Sequence, residues 1–194
     1  MHNPEPQMDT PQKAICVFCG SSNGADPAFA EAARSLGTLI AENGYRMIFG
    51  GGGLGLMGET ARAARDAGAP VTGILPEFLR HLEPPMRDPE QLIVVPTLFA
   101  RKERMIDMAD AFVVLPGGIG TVDEFFEVLG AAQLGQHAKP IVVLNLDGFF
   151  GPLEALLDFI VKTGFAHYEF SSHYRMVATP QDVIAALADA FKYA

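Results

Sequence analysis

The run Ala111-Phe112-Val113-Val114-Leu115-Pro116-Gly117-Gly118-Ile119-Gly120-Thr121-Val122-Asp123-Glu124 passes from an apolar stretch, through a glycine turn, into a helical pattern that begins near Phe125. It reads as a strand, a phosphate-sized loop and a helix start. The three glycines let the backbone turn tightly and bring N–H groups close to an anion. The helix that follows adds the positive end of its dipole at the same place, so the loop reads as a phosphate cradle. Glu124 stands one helical turn past the glycines, where a phosphate would repel it unless it faces another part of the ligand. A phosphate grip beside an acid suggests chemistry on a sugar phosphate.

The same alternation extends in both directions. Apolar runs predict strands near Ala14 to Phe18, Tyr45 to Phe49, Val71 to Leu75, Leu92 to Val95, Ala111 to Leu115 and Ile141 to Leu144, with a weaker one near Arg175 to Val177. Helical patterns fall between them: Ala28 to Asn43, Met57 to Ala67, Phe99 to Ala109, Val122 to Leu134, Leu153 to Lys162 and Pro180 to Phe191. Asp26-Pro27 supplies an N-cap with a first-turn proline, and Gly44 a stop. Near-continuous apolar strands separated by helices specify an α/β fold: a doubly wound, mainly parallel, Rossmann-like sheet with helices on both faces. Ligands of such sheets bind beyond the carboxyl ends of the strands. Here those ends carry Gly20-Ser21-Ser22-Asn23-Gly24, Gly50 to Glu59, and the segment quoted first. Three glycine-rich turns on one edge describe a nucleotide-sized crevice.

At 194 residues the chain suits one domain, expected over Lys13 to Ala194, preceded by a disordered tail from Met1 to Gln12 that is polar, proline-bearing and without periodicity. Lys and Arg total 14 against 23 Asp and Glu, a net charge of −9, and the basic residues form no stripe that could follow a nucleic-acid backbone. Nucleic acid and anionic membranes are therefore not expected as partners. The apolar runs are strand-sized, far short of a membrane span, and the N-terminus lacks a charged start and apolar core, so a cytoplasmic protein is expected. Cys16 and Cys19 make a Cys-x-x-Cys pair, but they lie in a strand pattern, where residues three apart point to opposite faces. A redox pair of this spacing needs a helix N-terminus and a zinc site needs more ligands, so buried thiols and no metal are expected.

Other motifs carry competing readings. Gly53-x-Gly55-x-x-Gly58 follows a strand and precedes a helix, with Glu77 at about the distance of a ribose-binding acid, which alone would suggest a dinucleotide oxidoreductase. That fingerprint usually follows the first strand of its domain, whereas this one follows the second. Thr121-x-x-Glu124 has the form of a capping box, a purely structural device, and periodicity does not separate that reading from an active-site carboxylate. Arg101 and Lys102 fit a solvated helix face, yet they stand at the edge of the glycine loops in an acidic chain, where a phosphate needs a partner. Glu83, in the proline-rich connection from Pro76 to Gln91, is either a surface carboxylate or a sugar-hydroxyl acceptor.

Taken together, Cys19-Gly20-Ser21-Ser22, Gly51-Gly52-Gly53 through Gly58, Arg101-Lys102, Pro116 to Thr121 with Glu124, and Gln133-Leu134-Gly135 with Lys139-Pro140 resemble the Lonely Guy family. Its members are cytokinin riboside 5'-monophosphate phosphoribohydrolases, long mislabelled as lysine decarboxylases. The resemblance covers nearly all of the chain after the tail. It implies hydrolysis of the N-glycosidic bond of a purine nucleoside 5'-monophosphate, without metal or organic cofactor, by a homodimer. Position by position it implies Arg101 and Glu124 as the catalytic pair. The substrate contacts it implies are Ser21, Glu83, Arg101, Lys102, Gly117, Gly118, Ile119, Gly120, Thr121 and Glu124. Cleavage through an oxocarbenium-like state gives such a carboxylate a role, and Arg101 would orient the substrate or stabilise the departing charge. The chain departs from the family pattern at Phe99-Ala100, where many members have His-Glu, and at Gly130-Ala131, where they have Thr-Trp. These departures bear on the choice of base, so an adenosine monophosphate nucleosidase and a non-catalytic nucleotide-binding protein are the alternative expectations.

Overall fold

The computed structural model describes residues 12–81, 84–87 and 90–192. Met1 to Pro11, in the expected tail, and Glu83 lie outside the described residues. Seven strands form one sheet: β1 (Ala14–Phe18), β2 (Arg46–Phe49), β3 (Val71–Pro76), β4 (Gln91–Val95), β5 (Ala111–Val114), β6 (Ile141–Leu144) and β7 (Arg175–Val177). Their order is β4-β3-β2-β1-β5-β6-β7, and every pairing is parallel. Among the described residues five α-helices lie between strands, α1 (Pro27–Glu42), α2 (Gly55–Asp66), α3 (Leu98–Met108), α4 (Ile119–Gln133) and α5 (Gly151–Lys162), and α6 (Pro180–Phe191) follows β7.

The period-2 geometry of the strands divides the core in two. Ile15, Val17, Met47, Phe49 and Val113 point to one face, where Leu36 and Ile40 of α1, Ala61 of α2 and Leu187 of α6 cover them. Cys16, Phe18, Ile48, Phe112 and Val114 point to the other, under Met105 of α3, Phe125 and Val128 of α4 and Leu157 of α5. Both faces are thus apolar and covered, which explains why the central strands read as continuous apolar runs. Cys16 and Cys19 fall in opposite halves of the core as free, buried thiols. Burial, and secondarily the negative charge of Glu124, pushes both thiols well above their ordinary range.

Local chemistry sets the helix ends. Asp26 accepts from the Ala28 N–H at 2.9 Å, Thr97 from that of Ala100 at 3.0 Å and Thr179 from that of Asp182 at 3.1 Å, so α1, α3 and α6 begin on side-chain caps. At the other end of α1, Gly44 adopts φ 71° and the chain reverses with Tyr45 N–H bonded to Ile40 O at 3.1 Å. The order of the strands reverses between β1 and β5. Chains leaving their carboxyl ends therefore diverge, and a crevice opens between the loop after β1 and the loop after β5. Among the described residues no helix is long and apolar enough to cross a membrane.

Candidate active site

The crevice has a zipped floor. Gly20 N–H donates to Pro116 O at 3.1 Å, tying the first loop to the last. A Cβ on Gly20 would stand 3.2 Å from Gly117 Cα, and one on Gly117 would collide with the Thr121 hydroxyl while lying 2.7 Å from Gly20 N. Close approach of the two loops is thus why glycine stands at these positions. Gly118 and Gly120, in contrast, border open space.

Helix α4 starts at Ile119, with Gly118 as an N-cap that offers no side chain. Thr121 and Glu124 accordingly sit inside the helix and do not form a capping box. The N–H groups of Ile119, Gly120 and Thr121 have no intrahelical acceptor, as in any first turn. They edge a polar cleft of about 230 Å3 lined by Cys19, Gly20, Ser21, Met57, Arg101, Gly118 to Thr121 and Glu124. The positive end of the α4 dipole faces this space.

Arg101 enters from α3 and is buried at 8% exposure. Its Nε donates to Ile74 O at 3.2 Å and its Nη2 to Gly50 O at 3.1 Å, so carbonyls at the ends of β3 and β2 fix the guanidinium plane. The remaining nitrogen, Nη1, lies 4.0 Å from Glu124 Oε1, with both side chains about nine-tenths buried. A buried cation and a largely buried carboxylate therefore face each other beneath an open helix N-terminus. This arrangement can grip an anion at one end and place a carboxylate against an electron-poor centre about one turn away.

The structure sorts the sequence-predicted residues. Ser21, Gly118, Ile119, Gly120, Thr121, Arg101 and Glu124 come together around one cleft, with Gly117 in its floor. Lys102 does not line it. Its Nζ is held by Asp123 at 3.1 Å and Glu127 at 2.8 Å and lies over the Phe99 ring, facing a separate groove between α3 and α4. That groove also carries Phe99 and Ala131, which brings the two departures from the family pattern to one place. Of Glu83 nothing is described, but its neighbour Pro84 is held to the second glycine loop through Gly53 N–H to Pro84 O at 2.7 Å. Cys19 and Met57 also line the cleft; both fall within motifs of the family resemblance but were not expected as site residues. Their positions directly after β1 and at the start of α2, on the ligand-binding edge, were the available signal.

The glycine fingerprint after β2 has a structural role. Gly55, at φ 60°, packs against the backbone of Ser21 and Ser22, and Gly58 packs against the Gly53 carbonyl. The first N–H groups of α2 are already used, Met57 donating to Gly20 O at 3.1 Å and Leu56 to Ser22 O at 3.4 Å. A helix start occupied by protein carbonyls does not receive a pyrophosphate. Glu77, the expected ribose acid of that reading, is an exposed partner of Arg80 at 3.1 Å.

Two other spaces bear on the cleft. An apolar chamber of about 280 Å3 shares Gly20, Ser21 and Gly118 with it and is walled by Phe29, Leu56 and Phe149. A larger depression of about 860 Å3, lined by Lys13, Asp110, His137 and Lys139 among others, lies at the opposite, amino-terminal edge of the strands. It is remote from the glycine loops, so size does not identify the site here; the convergence of loops, helix start and buried charges does.

The chain matches the family described as "Possible lysine decarboxylase" over residues 57–187. It is 40% identical over 153 residues to the Oryza sativa subsp. japonica protein named cytokinin riboside 5'-monophosphate phosphoribohydrolase, a match covering 79% of this chain and 63% of that one. An Arabidopsis thaliana protein of the same enzyme name is 42% identical over 153 residues, covering 79% of this chain and 70% of its own length. Among solved structures, a molybdenum cofactor binding protein from Rippkaea orientalis superposes with a TM-score of 0.72 at 24% identity, over 93% of this chain and 98% of that chain. This last likeness establishes the fold alone.

Proposed function

Since the chain belongs to the Lonely Guy family, we propose that it hydrolyses the N-glycosidic bond of a cytokinin riboside 5'-monophosphate to free base and ribose 5-phosphate. The observation that carries the proposal is the buried Arg101–Glu124 pair, 4.0 Å apart, at the open N-terminus of α4. The 5'-phosphate takes the N–H groups of Ile119 to Thr121 and the Thr121 hydroxyl, with Ser21 on the facing wall. This brings the ribose over Glu124. As the bond from C1' to the base nitrogen breaks, positive charge grows on the ribose and the Glu124 carboxylate stabilises it. Glu124 also accepts a proton from the water that adds to C1'. The base leaves with the bonding electrons, Arg101 counters the negative charge that develops on it or on the phosphate, and the proton that Glu124 took from the water returns through solvent to the base nitrogen, restoring the carboxylate.

The chamber walled by Phe29, Leu56 and Phe149 supports a base with an apolar substituent, because burying alkyl carbons there removes apolar surface from water. No lysine lines the cleft among the described residues: Lys102 is paired with two carboxylates and Lys139 Nζ donates to Ile106 O at 2.7 Å. Neither suits the Schiff-base chemistry that the decarboxylase description would require. We further propose a cytoplasmic homodimer, which the exposed Leu98 and Phe99 of α3 and Leu134 beside α4 support. Sedimentation of the wild type and of Phe99→Asp tests this, with a monomeric wild type counting against it.

The activity test is to incubate the protein with isopentenyladenosine monophosphate and with adenosine monophosphate and to measure free base and ribose 5-phosphate. Release from the first nucleotide in preference to the second is the expected result. Equal release from both would make the protein a nucleosidase without cytokinin preference. Binding of nucleotide with no release of base from either would leave a non-catalytic binding protein.

A further inference from the structure

We infer that Gly50 is a positioning residue for Arg101, so that the absence of a side chain at the end of β2 holds the guanidinium in register with Glu124. The inference rests on the reaction proposed above. Two observations carry it. First, Gly50 O accepts from Arg101 Nη2 at 3.1 Å, and with Ile74 O accepting from Nε at 3.2 Å it leaves only Nη1 turned toward Glu124. Second, a Cβ built on Gly50 would collide with Nη2 and stand 2.8 Å from Arg101 Cζ and 3.1 Å from Met57 Sδ. The guanidinium occupies the place a side chain would take.

The backbone does not itself require glycine there. Gly50 is not among the positive-φ glycines, whereas its neighbour Gly51 is, at φ 80°. An alanine at Gly50 is therefore conformationally tolerable, and the three nearest atoms its methyl group would meet belong to two side chains. One is the flexible end of Met57. The other is the Arg101 guanidinium, which would have to leave both carbonyls and change its relation to Glu124. Displacing a catalytic group by about 1 Å costs on the order of 100-fold in rate.

A double-mutant cycle tests this with four proteins: wild type, Gly50→Ala, Arg101→Ala and the double variant. Isopentenyladenosine monophosphate is the substrate, and kcat, KM and Tm are read for each. The expected result is that Gly50→Ala lowers kcat by roughly 100-fold with a smaller change in KM. The double variant should match Arg101→Ala, because truncation of the arginine removes what the methyl group strikes. Melting temperature follows the same pattern, with a loss on Gly50→Ala in the wild-type background and none in the Arg101→Ala background. Wild-type kcat in Gly50→Ala overturns the inference. So does a double variant well below Arg101→Ala, since independent effects multiply and a merely structural glycine would act in both backgrounds. If wild type releases no base, the proposed reaction fails, and the melting temperatures still decide whether Gly50 and Arg101 are coupled.

Discussion

Replacing Glu124 with Gln keeps the shape of the side chain and removes its charge, and the structure bounds what that should cost. Arg101 Nη1 lies 4.0 Å from Glu124 Oε1, which shows how closely a cation seats against this carboxylate. A unit positive charge about 4 Å from a carboxylate gains about 4 kcal/mol at an effective dielectric constant of about 20. Only part of a unit charge develops on the ribose, and Glu124 also loses its function as a proton acceptor in the variant. The expected loss in kcat is thus about 10²- to 10³-fold, or about 2.7 to 4 kcal/mol of barrier. The sign is reinforced by Arg101, which in Glu124→Gln remains near the reacting centre as an uncompensated cation and disfavours a second positive charge. The phosphate contacts proposed for the first turn of α4 are untouched, so KM should stay within about threefold. The variant should remain folded, because Nε and Nη2 of Arg101 keep their bonds to Ile74 and Gly50. The assay is chromatographic measurement of free base released from isopentenyladenosine monophosphate at saturating substrate, with circular dichroism as the folding control. A folded Glu124→Gln that keeps more than about a tenth of wild-type kcat refutes the reasoning, since no group with so small an effect stabilises the transition state.

Three further predictions follow from local geometry. Gly117→Ala forces a methyl group onto the Thr121 side chain and against Gly20 N; urea denaturation should show a destabilisation of about 1 to 3 kcal/mol and the KM for nucleotide should rise. Cys16 and Cys19 are buried with thiol pKa values raised mainly by desolvation; a disulfide reagent at pH 8 should therefore titrate no thiol in native protein and two in denaturant. His137 accepts from Lys139 N–H at 3.2 Å and pairs with Val128 O at 3.0 Å, an arrangement that needs the neutral ring with its proton on Nε2. Its pKa is lowered, chiefly by burial, so the unfolded chain binds the proton more readily than the fold does. Its contribution to stability is present above the unfolded value of about 6.5 and is lost as pH falls through the folded value. Melting temperature should drop over that acid window in wild type and less so in His137→Gln.

The fold was legible because each strand in this sheet is buried on both faces or bounded by punctuation the sequence displays. All seven predicted strands and all six helices occur, with ends displaced by a few residues at most. The largest displacement is the instructive one. Helix α4 was expected from Val122 and begins at Ile119, since Gly118-Ile119-Gly120 has poor helical propensity and no capping side chain. What drives those residues into a helical turn is tertiary: the Gly20–Pro116 hydrogen bond and the packing of Thr121 over Gly117, neither of which is visible to a local reading. The shift of three residues also rules out the capping-box reading of Thr121 and Glu124, for a residue inside the helix cannot serve as its N-cap.

The site was legible in its loops and less so in its side-chain directions. Arg101 and Lys102 are adjacent on α3, so successive residues turn about 100° apart; one side chain goes inward to Gly50 and Ile74 and the other outward to Asp123 and Glu127. A dipeptide motif does not say which residue faces the cleft. The glycines after β2 posed the converse problem, because close packing against Ser21 and Ser22 selects the same residues as close approach of a pyrophosphate. What separates the two is where the helix N–H groups go. In α2 they end on Gly20 and Ser22 carbonyls, whereas α4 has no capping side chain and, among the described residues, no backbone carbonyl on the N–H groups of Ile119 to Thr121. Of these two glycine loops, the one whose helix N–H groups stay open to an anion carries Glu124 one turn farther along the same helix.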